Sequence, residues 1–234
     1  WTAIYKRELR AFFTTPIGYI FVGIFLSVSG GVFCYTTLFA MTCDVTAYFA
    51  TMLECFVVLL PLLTMKSFSE EKKQKTEQLL LTSPVTLPGM VLGKFLAAYT
   101  VFAGSLLFGC LAFVILSWFG KIKIAILFGN ILALLLSGMA FIAIGIFVSS
   151  VTESQLASAV ATIAALAVLM VISLLCDYIG SYPVRFVIES LSVFYRFQNF
   201  AAGFFDFAAL FYYLSVSFLF LFMTVRVFDK RRYR

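Results

Sequence analysis

Chemistry needs side chains that ionise, ligate or attack, and in this sequence they are scarce and badly spaced for it. The 234 residues hold no histidine, which excludes serine–histidine and cysteine–histidine dyads and histidine-ligated metals. The five cysteines (Cys34, Cys43, Cys55, Cys110 and Cys176) are odd in number, irregular in spacing and mostly inside apolar runs. Small buried hydrophobes are expected there, not disulfides or a metal site. Gly89-Met90-Val91-Leu92-Gly93-Lys94 echoes a phosphate loop, but that motif needs four residues between the glycines and Ser or Thr after the lysine. Three intervening residues and Phe95 stand there instead, so no nucleotide site is expected. Lys94 reads as an interfacial lysine whose ammonium snorkels to water. An intramembrane enzyme without histidine would need a Ser–Lys pair or paired carboxylates, and no two such groups lie deep in an apolar run. No catalytic residue and no metal ligand is assigned.

Two places keep charges that call for an explanation. Glu54 lies in "YFATMLECFVVLLPLL", and an ionisable residue inside such a run normally faces a bundle interior or water and has a partner. It is a candidate substrate contact, gate or proton site; the plainer alternative is a carboxyl tying two helices together. Pro61, further along the same run, could kink it and create a flexible point, or be only a passive bend. The second place is residues 66–84, "KSFSEEKKQKTEQLLLTSP". Ser67-Phe68-Ser69-Glu70 fits a capping box, Glu71 and Lys75 have the favourable order for an i,i+4 ion pair, and Thr82-Ser83-Pro84 is a stop. A short polar helix is expected, either as a solvated connector or as a docking element.

The elements that must position these residues follow from composition. Hydrophobic residues make up 63% of the chain and charged residues 12%, with a mean hydropathy of +1.06. A soluble domain carries about 25% charged residues, so the bilayer must be the solvent and only helices or a closed barrel satisfy the backbone. The apolar runs are unbroken and do not alternate as barrel strands do, which selects an all-α membrane protein. Six stretches reach the roughly 20 residues a span needs: 16–39, 47–65, 89–118, 124–148, 156–176 and 208–227. With both termini in the cytoplasm, only Lys121, Lys123, Arg185 and Arg196 of the 17 Lys and Arg residues fall outside, as the positive-inside rule requires. The net charge of +6 is thus a topology signal, and no nucleic-acid partner is expected because the cytoplasmic segments are too short for a basic patch.

Residues 1–15 show one apolar and one basic face, the pattern of an interfacial helix, and do not suit a secretory signal peptide. The chain begins at Trp1, so a few residues are expected before it. In 177–207, Val193, Phe197, Phe200, Ala201 and Phe204 share a helical face, with Arg196, Gln198 and Asn199 as polar positions. An outer amphipathic or re-entrant helix is expected there, either shaping a lateral exit or covering the bundle. Residues 149–155 form a tight turn whose one charge is Glu153, a guess at a second partner contact. The whole of 1–234 reads as a single membrane domain.

Residues 61–97 resemble type-2 ABC transporter permeases, with the nearest likeness to the branch of gliding-motility and nitrous-oxide-reductase-maturation permeases. The family pattern is a proline-containing second span, "TMR-F-EE", "GT-ELLLT-PV" and "LGK". Matching positions are Pro61, Thr64, Met65, Phe68, Glu70, Glu71, Thr76, Leu79, Leu80, Leu81, Thr82, Pro84, Val85, Leu92, Gly93 and Lys94. Lys66 replaces the usual arginine and Lys75 the usual glycine.

The resemblance implies a bacterial cytoplasmic-membrane permease subunit, itself not an enzyme and without a cofactor. ATP and magnesium would belong to a dimeric cytoplasmic ATPase on another chain. It implies a coupling helix built from Lys66, Ser67, Phe68, Glu70, Glu71, Lys75, Thr76, Leu79, Leu80 and Thr82, passing motion into the second and third spans. It also implies pairing with a second permease copy or a related one, and it favours export. An extracytoplasmic accessory protein is a further expected partner if the chain transmits force without transporting. An ATP-independent channel or secondary transporter usually reveals several intramembrane charges or interrupted helices, and here Glu54 stands almost alone.

Overall fold

Among the described residues, six helices are long and apolar enough to cross a membrane: Gly18–Phe39, Val45–Thr64, Leu87–Leu116, Ile124–Val151, Gln155–Leu175 and Phe207–Arg231. They match the six apolar stretches of the sequence to within a few residues at every end. The computed structural model describes residues 2–41, 45–73, 86–116, 124–175, 192–201 and 206–232, and every regular element among them is helical. In chain order these are α1 (Thr2–Thr14), α2 (Pro16–Phe33), which runs on as a π-helical stretch (Cys34–Phe39), α3 (Val45–Thr64), α4 (Ser69–Lys73), α5 (Leu87–Gly109), α6 (Leu111–Leu116), α7 (Ile124–Val151), α8 (Gln155–Leu175), α9 (Val193–Ala201) and α10 (Phe207–Arg232).

The breaks have local causes. Pro16 opens α2, where its missing N–H is no loss and its fixed φ suits a first helical turn. Ser154 accepts a hydrogen bond from the Ala157 N–H at 3.2 Å and caps α8. Helix α3 continues through the buried Pro61.

Helix α7 is the axis of the bundle. Two thirds (67%) of its most apolar window is buried, against 22% for α8 and for α10, and it packs against α3, α5, α8, α9 and α10. Small residues let its neighbours come close, as membrane helices require when lipid is as apolar as leucine. A methyl group on Gly145 would lie 2.3 Å from Thr64 Oγ1 and 2.9 Å from Thr64 Cβ. Gly145→Ala is therefore expected to destabilise the fold by about 1–3 kcal/mol, the usual cost of overpacking. Thermal unfolding in detergent would show it as a lowered midpoint, and adding Thr64→Ala should recover only part, because Cβ remains. An unchanged midpoint would mean that α3 and α7 are not in this contact.

Phenylalanines do much of the remaining packing. Phe25 of α2, Phe56 of α3 and Phe102 of α5 meet at centroid distances of 5.2–6.2 Å, and all three are fully buried. Tyr48 joins Phe33 and Phe113 in a second cluster and shares a 2.7 Å hydrogen bond with Ser29. Apolar side chains on α8 and α10, such as Leu156, Val160 and Phe218, point outward, as a lipid-facing surface demands. Of the cysteines, Cys110 is buried as expected and Cys55 partly so, whereas Cys34 is exposed; Cys43 and Cys176 lie outside the described residues.

Candidate functional site

Apart from Glu54, the charges worth explaining gather at one end of the bundle. There α1, the 65–73 segment, the start of α5 and the last turns of α7 and α10 meet, with Lys94 at the centre. Its ammonium donates to the Ser67 carbonyl at 2.8 Å and pairs with Glu8 at 3.3 Å. It also lies 5.1 Å from the centroid of the Phe68 ring. Lys94 is only 4% exposed, which corrects the snorkelling expectation: the side chain turns into the protein because α1 supplies a carboxylate and the 65–73 segment a carbonyl. The preceding Gly93 admits α1, since a methyl there would sit 3.0 Å from Ile4 Cγ2 and 3.3 Å from the Tyr5 nitrogen. The Leu92-Gly93-Lys94 sequence thus has a physical meaning: the glycine makes room for the terminal helix and the lysine holds it.

Phe68 turns inward as well. It is 1% exposed and packs on Phe228 of α10 with centroids 4.7 Å apart. The backbone that follows is fixed to α7, a helix remote in sequence. Ser149 Oγ accepts hydrogen bonds from the Phe68 and Ser69 N–H groups at 3.1 and 3.2 Å and faces the Met65 carbonyl at 3.4 Å. Lys72 Nζ donates to the Ser150 carbonyl and, at 3.0 Å, to the Thr152 carbonyl. These carbonyls end α7, where a cation is favoured by the helix dipole.

The capping box is therefore replaced. Helix α4 begins at Ser69, and orphan N–H groups at its start are received by Ser149 of another helix. Ser69 Oγ donates back to the Met65 carbonyl, and Ser67 offers its carbonyl to Lys94.

Lys66 and Glu70 form an i,i+4 pair at 3.4 Å with side chains 21% and 34% exposed. With Glu8, Ala11, Phe12 and Thr15 of the α1 region they line a cleft of about 110 Å³. Glu71 lies in α4, while Lys75, Thr76, Leu79, Leu80 and Thr82, and with Lys75 the expected Glu71–Lys75 pair, fall outside the described residues. Glu153 is exposed in the turn after α7, and the carbonyl of its neighbour Thr152 is the one Lys72 takes.

Glu54 and Pro61, proposed together from one apolar run, separate. Pro61 is buried. Glu54 is exposed on α3 and borders a cavity of about 120 Å³ against α8 and α9. Its carboxylate forms no hydrogen bond or ion pair with a described residue.

In α9, Val193 and Phe197 are buried as the helical face predicted, and Arg196 stacks over the Tyr212 ring at 4.6 Å. Phe200, Ala201 and Phe204, with Gln198 and Asn199, have side chains outside the described set. Phe194 packs on Phe141 at 5.6 Å, about 15 Å along α7 from Val151 and about 25 Å from Ile124 at 1.5 Å per residue. Tyr213 of α10 donates to the Val193 carbonyl at 2.7 Å.

A bundle of six apolar helices with one polar, multiply fastened segment defines a multi-pass membrane protein. Residues 29–197 match the family model described as ABC-2 family transporter protein, and the chain belongs to that family. It is a membrane component of an ABC transporter. No curated protein matches the chain.

Proposed function

We propose that this chain couples ATP hydrolysis by a separate ATPase subunit to substrate movement, most simply export, with residues 66–82 as the docking element. The observation that carries the reading is the build of the 65–73 segment: fixed on one side, open on the other. Ser149, Lys94 and Phe228 hold its inner side, and on the other the half-buried Lys66–Glu70 pair lines the open cleft beside α1. A segment built this way can receive a push and pass it on.

Phe68 then acts as the anchor of the docking element and not as a contact for the ATPase. The route of transmission extends beyond the second and third spans that flank the segment in sequence. Through Ser149 and Lys72 it enters α7, the most buried helix, which is packed on α3, α8, α9 and α10. Two permease copies with two ATPase subunits would switch between states, and substrate would bias them only by binding them unequally. The gathering of α1 and the end of α10 around the same segment favours a cytoplasmic location for both termini. The depth of Phe194 along α7 favours a re-entrant α9. Likeness to the gliding-motility and nitrous-oxide-reductase-maturation branch rests on the 61–97 motif.

The test is co-expression with the genomically adjacent ATPase. Glu70→Lys/Glu71→Lys should abolish co-purification or permease-dependent ATPase activity while the thermal unfolding midpoint stays near wild type. Intact co-purification and activity would remove residues 66–82 from the docking role.

A further inference from the structure

We infer that the cavity between α3, α8 and α9 binds the ammonium head of an amphiphilic cation, with Glu54 as its counter-ion. As a transport site it rests on the reading above; as a binding site it stands on its own geometry. Glu54 lies about 14–15 Å from either end of α3 at 1.5 Å per residue, near the middle of a span. A carboxylate there is costly unless it has a partner, and no described residue supplies one. Its side chain borders a cavity of about 120 Å³ whose walls include Met170, Ser173, Leu174, Phe194 and Phe197. A metal ion stripped of its water is a poor occupant, because magnesium or calcium takes six or more oxygen ligands and here only Glu54 and Ser173 bring side-chain oxygens.

Aromatic rings and a thioether beside one carboxylate suit an organic cation, which gains from ring faces as well as from charge. The approach is apolar: Leu174 is 57% exposed and Val171 51%. A ligand arriving along this surface meets apolar side chains until its head reaches Glu54, so an apolar tail suits it.

The chain, reconstituted without ATPase in nanodiscs of phosphatidylethanolamine and phosphatidylglycerol, can be titrated with radiolabelled decyltrimethylammonium. Wild type is expected to bind saturably. Glu54→Gln should weaken binding at least about tenfold, the loss of one desolvated charge partner. Glu54→Asp should stay within about threefold, Phe194→Leu should weaken it several-fold, and decanol should not compete. Because Glu54→Gln removes a costly charge without a described partner, the Gln variant should unfold at or above the wild-type temperature. Equal binding by wild type and Glu54→Gln, or competition by decanol as strong as by the cation, would overturn the inference. The two claims separate cleanly: intact ATPase co-purification and activity in Glu70→Lys/Glu71→Lys, beside Glu54-dependent cation binding, refutes the coupling reading alone, whereas loss of co-purification in that variant, beside cation binding indifferent to Glu54→Gln, refutes the cavity alone.

Discussion

Ser149→Ala should leave the ATPase bound to the permease yet lower transport-linked ATP turnover by about five- to tenfold, roughly 1–1.4 kcal/mol of coupling free energy. The hydroxyl is the acceptor for two neighbouring N–H groups, those of Phe68 and Ser69. Removing it leaves buried donors that each cost about 1–3 kcal/mol if they find no substitute. The segment can lower that cost by lifting away from α7, and the lift is what should uncouple it. Nothing on its outward side changes, because Lys66 and Glu70 keep their pairing. Adding Lys72→Met removes the second tie, to the Ser150 and Thr152 carbonyls, and should deepen the defect. Ser149→Thr, which retains the hydroxyl, should retain most coupling. The readout is the ratio of permease-dependent ATPase activity to the amount of ATPase co-purified. If the ratio is unaltered in the double variant, force does not travel through the end of α7.

Lys94→Met should be the most destabilising single change at this end of the protein, by about 2–3 kcal/mol. Breaking a buried ion pair by deleting one member usually costs about 3–5 kcal/mol. The figure is lower here because Glu8 is 18% exposed and keeps Arg7 at 2.9 Å. The Ser67 carbonyl also loses its donor, and the Phe68 ring its cation. A protein of this size moves about 2–4 °C per kcal/mol, so the unfolding midpoint in detergent should fall by about 5–10 °C. Lys94→Met/Glu8→Leu should recover much of the loss, because an apolar pair does not carry the stranded carboxylate. A shift below about 1 °C for Lys94→Met, or no recovery in the double variant, would mean that this lysine is solvated and not a clasp.

The spans were legible because a bilayer demands long apolar runs and leaves little room for other patterns. The apolar face of α9 was legible for a similar reason, as Val193 and Phe197 stand four positions apart and are both buried. What the pattern hid is the fastening of the 65–73 segment. Ser149 lies 81 and 80 positions from Phe68 and Ser69, and Glu8 lies 86 positions from Lys94. No local periodicity links them. A serine near the end of an apolar run also looks like any small interfacial residue. Lys94 misled for a physical reason: a lysine at the end of a span normally reaches water, and only the close approach of α1 over Gly93 turns it inward. Glu54 could be flagged from sequence as a costly charge, but Pro61, seven positions further and therefore on nearly the same side of α3, is buried while Glu54 is exposed, a difference of level along the helix that no local pattern shows.

Photocrosslinking tests the central claim most directly. A benzophenone amino acid placed at Glu70, and as a control at exposed Phe128, about 32 Å along α7 from Ser149 at 1.5 Å per residue, would be irradiated in the intact complex with its ATPase. Capture of the ATPase from position 70 but not from position 128 is the predicted result. Capture from position 128 alone, or from neither position in a complex that still co-purifies, would contradict docking at residues 66–82.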